Sequence, residues 1–110
     1  MIEFQEEIRK LIRSFPDVER KVDLMSEEAY FYGSRNFAHF HGPTHIDIRL
    51  SKADQEEALL TGKANQHHFA PQAGWVSCLL DTKQRVDGAM QLVRQAYDYC
   101  VSLKAQRKPA

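Results

Sequence analysis

The chain has 110 residues, 43% of them hydrophobic and 27% charged, which fits one globular domain over residues 1–110 and excludes a disordered chain. Lysine plus arginine and aspartate plus glutamate each number 15, so no global field draws in nucleic acid or an anionic membrane. Glu3, Glu6, Glu7, Arg9 and Lys10 leave no signal-peptide-like apolar stretch near the start, and no apolar run approaches the roughly 20 residues that cross a bilayer, so a cytoplasmic protein is expected.

In chain order, Ile2, Phe4, Ile8, Leu11, Ile12 and Phe15 recur at helical spacing and predict a helix over residues 2–14, ended by Pro16. Residues 18–24 alternate Val18, Arg20, Val22 and Leu24 against charged neighbours and predict a short edge strand. The aromatic stretch 29–33 predicts a second strand, and Gly33 a sharp bend or positive φ after it. Residues 36–41 and 45–50 flank Gly42-Pro43-Thr44, a turn signal, and predict a β-hairpin. Ser51 and Asp54 open a second helix through about Leu60, closed by Gly62. Residues 63–72 read as a loop or short irregular strand, with His67 and His68 solvated and Phe69-Ala70-Pro71 tucked against the sheet. Residues 74–80 form the clearest strand. Asp81 or Thr82 caps a last helix whose stripe is Val86, Met90, Val93, Tyr97, Cys100 and Val101. The basic residues Lys104, Arg107 and Lys108 read as a solvated end. The fold class is therefore α+β: an antiparallel sheet of about five strands with helices packed on one face, in the order α-β-β-β-β-α-β-α.

Side chains alternate across a strand. One set, Ala38, Phe40, Ile46, Ile48, Leu50, Val76, Cys78 and Leu80, belongs under the helices. The opposite set collects Phe37, His39, His41, His45, Asp47, Arg49, Trp75 and Ser77, with Tyr30 and Tyr32 as further candidates. Cys78 and Cys100 show no paired spacing and read as small buried thiols in a reducing compartment. Arg35 suggests an ion pair with a helix, or an anion contact.

Four readings compete for the polar face. All five histidines fall within one third of the chain, and His39 and His41 lie two apart on a strand. With His45 across the turn, they make a candidate divalent-metal set, and Asp47 supplies an oxygen ligand or an outer partner. A histidine beside Asp47 also suits metal-free acid–base chemistry, with Arg49 holding an anionic group. Ser77 and Ser34 are hydroxyl nucleophile candidates without a GxSxG elbow, and Cys78 points into the core. Tyr, Trp, His and Arg on one sheet face equally suit recognition of a small molecule without chemistry. The last reading is self-association or a partner interface anchored by Trp75. The candidate ligand-binding residues are thus His39, His41, His45, Asp47, Arg49 and Trp75, the candidate metal ligands His39, His41 and His45, and the expected partner a small molecule or a second copy.

The segment FYGSRNFAHFHGPTHIDIRLS, followed by HHFAPQAGWVSCLL and a helix bearing QAYDY, resembles the luciferase domain family. The pattern is matched by Gly33, Arg35, Phe37, His39, His41, Asp47, Leu50, Pro71, Gly74, Trp75 and Val76, and the resemblance spans roughly residues 31–99. It implies a stand-alone α/β domain with weight on the same histidine and tryptophan positions, and it implies no catalytic assignment. A second likeness, of architecture alone, is to the MmcQ/YjbR-type proteins, and it implies an antiparallel sheet with helices on one side.

Overall fold

A computed structural model describes residues 2–24, 26–66 and 73–107. The first helix, α1 (Ile2–Arg13), ends just before Pro16, and the chain then forms β1 (Val18–Lys21), β2 (Ala29–Tyr32), β3 (Arg35–His41) and β4 (His45–Arg49). Helix α2 (Lys52–Thr61) follows, then β5 (Asn65–Gln66), β6 (Trp75–Leu79) and α3 (Lys83–Arg107). The α2 signals act as the sequence implies. The Ser51 hydroxyl accepts the Asp54 N–H, and Gly62 ends the helix in the left-handed conformation at φ 77°. At the start of α3 the Thr82 hydroxyl accepts the Arg85 N–H.

The strands form one antiparallel sheet in the order β1-β2-β3-β4-β6-β5. The α+β class holds. The count rises to six strands because two residues of the 63–72 stretch, Asn65 and Gln66, pair with Ser77 and Val76 at the far edge. The expected first strand stops at Lys21, leaving Val22 and Leu24 exposed. His67, His68 and the Phe69-Ala70-Pro71 stretch lie outside the described residues.

One hydrophobic core fills the space between sheet and helices. Ile8 and Ile12 of α1, Leu92 and Val93 of α3, Phe40, Ile46, Ile48, Val76 and Cys78 of the sheet, and Leu50 and Leu80 just past β4 and β6 are all buried in it. Complete burial of such an aliphatic side chain contributes about 1.5–3 kcal/mol. Phe15 stacks on Tyr97 at 4.4 Å between ring centres, and the Tyr97 hydroxyl donates to the Pro16 carbonyl, which ties the α1 exit to α3. Among the described residues, no helix is long and apolar enough to cross a membrane.

Three aromatic residues sit on the other side of the sheet from the one expected. Phe37 is fully buried in the core and meets the Tyr97 ring edge-on at 6.1 Å, so it does not share a face with His39 and His41. The cause is a register shift. Tyr30 pairs with Ala38 and Phe31 with Asn36, so Phe37 is an extra residue without a partner, and strict alternation breaks there. Tyr30 has a different cause: it pairs directly with Ala38 in the regular part of the ladder and so faces the helices, and Tyr32, two residues on, packs edge-on against Tyr97.

Gly74 fixes how β6 enters the sheet. Its φ is +97°, its carbonyl accepts the Leu50 N–H at 3.0 Å, and a Cβ built there would run into the Leu50 carbonyl oxygen. Gly74→Ala is expected to destabilise the fold by at least about 2 kcal/mol in urea denaturation. Cys78 and Cys100 are both free and buried, and burial, with a smaller contribution from the Asp47 charge, pushes the Cys78 thiol up to about 12. Cys78 therefore stays protonated at pH 8, and neither thiol should react with iodoacetamide until denaturant is added; mass spectrometry of the native and denatured reactions checks this.

Candidate functional site

The strand registers place Lys21, Ala29, His39, Asp47, Ser77 and Asn65 in one row across all six strands. Directly paired residues point to the same side of a sheet, and the neighbours of His39, Asp47 and Ser77 along their strands all belong to the core. The row therefore lies on the face opposite the helix-packed core.

Its centre is a carboxylate removed from water. Asp47 is 2% exposed and His39 4%. A lone buried carboxylate costs several kcal/mol, so it persists only with donors around it. The Ser77 hydroxyl donates to Asp47 Oδ1 at 2.7 Å, and His39 Nε2 lies 2.9 Å from Oδ2. His41 Nδ1 approaches the same Oδ2 at 3.5 Å, while 55% of its side chain stays exposed. Trp75 packs its indole against His39, ring centres 4.8 Å apart and tilted by 44°. The site thus has a closed inner part, Asp47, His39 and Trp75, with half-buried Ser77 beside it, and an open outer side chain, His41.

This arrangement limits the chemistry. Ser77 gives its proton to a carboxylate that already holds an imidazole, so its oxygen is not set against a histidine base in the manner of an activated serine. Cys78 faces away into the core. What remains is a cluster of donors. One atom each from His39, His41 and Asp47 lie within 4.8 Å of one another, and this is the one such group of three among the described residues.

The sequence-derived set is divided by the structure. His39, His41, Asp47 and Trp75 come together. His45 is half-buried, its Nδ1 lies 2.8 Å from the Thr44 hydroxyl, and it is not part of the donor group; Asp47 takes the place expected for it. Arg49 is drawn away altogether: its Nε donates to the Ala73 carbonyl at 3.0 Å, and it lines a cavity with Arg35 and Cys100 at the other end of the strands. Trp75 is only 9% exposed, so it shapes the surroundings of His39 and does not project as an interface anchor. Alternation puts Ser77 on this face, and its bond to Asp47 comes only with the tertiary structure. The pairing of His39 with Asp47 was readable: a three-residue turn that sets His41 opposite His45 must set His39 opposite Asp47. Nothing in the sequence signals that β6 lies beside β4 and brings Ser77 alongside.

No curated protein and no solved structure matches the chain. The family model described as "Luciferase domain" matches residues 34–96, a span that runs from the start of β3 well into α3 and takes in every side chain of the cluster. With more than half of its length matched, and with the histidine and Gly74-Trp75-Val76 positions inside that match, this chain belongs to the luciferase domain family.

Proposed function

We propose that this protein binds a small ligand through a divalent metal ion held on the core-opposite face of its sheet by His39, His41 and Asp47. The observation that carries the reading is the donor geometry: two imidazole nitrogens and one carboxylate oxygen, from two adjacent strands, within 4.8 Å of one another. Two nitrogens and one oxygen suit zinc or another first-row divalent ion, and three protein ligands leave coordination positions for a ligand or water. The exposure of His41 supports access from solvent, since the inner residues are closed off. Ser77 and Trp75 act as outer partners: Ser77 fixes the Asp47 carboxylate by a hydrogen bond, and Trp75 limits how His39 can turn. Such an ion would orient an oxygen-bearing ligand and polarise it.

Isothermal titration of the tag-free protein with zinc chloride tests this reading. One ion per chain is expected, with affinity lowered by at least about tenfold in His41→Ala. That variant is decisive because His41 is exposed and its loss leaves the core untouched. His45→Ala should bind as the parent does, since its ring is engaged with Thr44. Because the ligands must shed protons to bind metal, affinity should fall as the solution is acidified. Absence of stoichiometric zinc, or an unchanged His41→Ala, sinks the proposal.

A further inference from the structure

At the end of the sheet away from His41, a cavity of about 770 Å³ lies between the β2–β3 turn and the last turns of α3. The volume falls in the range of small-molecule sites, roughly 300–1,000 Å³. Arg35 lies four residues from His39 along β3 and Arg49 two residues from Asp47 along β4, so along the strands the two arginines stand about 13 Å and about 7 Å from the donor cluster.

Its lining is unusual in charge. Arg35, Arg49 and Lys104 meet there, against Asp17 and Glu19. Neither arginine is ion-paired among the described residues, although carboxylates elsewhere on the surface are. The Arg35 guanidinium lies over the Tyr99 ring, 5.2 Å from its centre, and its solvent-inaccessible Nε has no hydrogen-bond partner among the described residues. Arg49 spends its Nε on the Ala73 carbonyl, and among the described residues its terminal nitrogens carry no such bond. Burial first, and the charge of Arg35 second, depress the Arg49 guanidinium below its ordinary value. Two neighbouring guanidinium groups without an anion are mutually unfavourable. The expectation of an Arg35 ion pair with a helix fails because α3 presents Tyr99 and Cys100 to it, and no carboxylate.

We propose that Arg35 and Arg49 form a second binding site, which takes a small oxyanion, a carboxylate or phosphate group, on a molecule whose apolar part lies along Tyr32 and Leu103. A guanidinium offers a planar fork that matches either group, and an anion between the two forks satisfies the donors that the protein leaves open. Tyr32 and Leu103 supply the apolar wall, and Lys104 stands at the exposed rim with its ammonium 5.5 Å from the Tyr32 ring centre. The site uses none of the proposed metal ligands.

The test is an NMR amide titration with three probes, inorganic phosphate, phenyl phosphate and benzoate, and with neutral benzyl alcohol as the comparison. At least one anion should saturate, with shifts at Gly33, Ser34 and Leu103, and the better of phenyl phosphate and benzoate identifies the group recognised. Arg35→Gln and Arg49→Gln should each weaken binding by about tenfold or more, and Lys104→Gln by less. Lys104→Gln, at the solvent-exposed rim, still reads the site if an arginine variant fails to fold. His41→Ala should bind the anions unchanged, which separates this site from the metal reading. No saturation by any anion up to about 10 mM, equal binding of benzyl alcohol, or parent-like binding in all three charge variants overturns the proposal.

Discussion

A carboxylate at the middle of a six-stranded sheet, 2% exposed, must be answered by donors wherever the chain can bring them. Asp47 is answered from both sides: His39 across the hairpin in β3 and Ser77 from β6. These two contacts make demands on the whole arrangement. His39 is opposite Asp47 only in one hairpin register, and Ser77 only if β6 inserts beside β4. A slip of one residue in either pairing would turn the apolar face outward and also leave the carboxylate buried without those partners. Core burial and polar satisfaction therefore select the same register, which is the consistency that specifies one fold.

Two backbone features serve that register. Gly74, in a conformation that side-chain-bearing residues rarely adopt, lets β6 start against the Leu50 backbone, which places Trp75, Ser77 and Cys78 at their heights in the sheet. The extra residue at Phe37 changes the phase of β3. Beyond it, Ala38 and Phe40 face the helices while His39 and His41 face the other way; before it, Phe37 itself reaches Tyr97 on α3. One strand thus contributes an aromatic to the core at its start and imidazoles to the opposite face at its end.

The same strand links two polar regions of different character. The His39–His41–Asp47 cluster mixes neutral-capable nitrogens with a carboxylate and suits a cation. The Arg35–Arg49 cavity gathers two arginines that form no ion pair among the described residues, and it suits an anion. They are adjacent along the strands but separately partnered: Asp47 is held by His39 and Ser77, while Arg49 turns to the Ala73 carbonyl. The balanced total of 15 cationic and 15 anionic residues conceals this local separation.

Much of this was written in the chain by periodicity and punctuation. Helical spacing in α1, the Ser51 cap, Gly62 and the turn at Gly42-Pro43-Thr44 are local features whose geometry needs few distant partners, and they fall where the sequence puts them. Alternation also sorted Phe40, Ile46, Ile48, Val76 and Cys78 from His39, Asp47, Trp75 and Ser77. The hairpin turn alone determined that His39 meets Asp47. Only the tertiary structure decided the rest. Alternation assigns a face but is blind to a bulge, which decides Phe37, and to the register between β2 and β3, which decides Tyr30 and Tyr32. It is equally blind to the order of distant strands, on which the meeting of Ser77 with Asp47 depends. Nor does it say where a long side chain at a strand end will turn: Arg49, grouped with the histidines by its position in β4, reaches instead to Ala73 and Arg35, because that is where an acceptor and a cavity lie within its length.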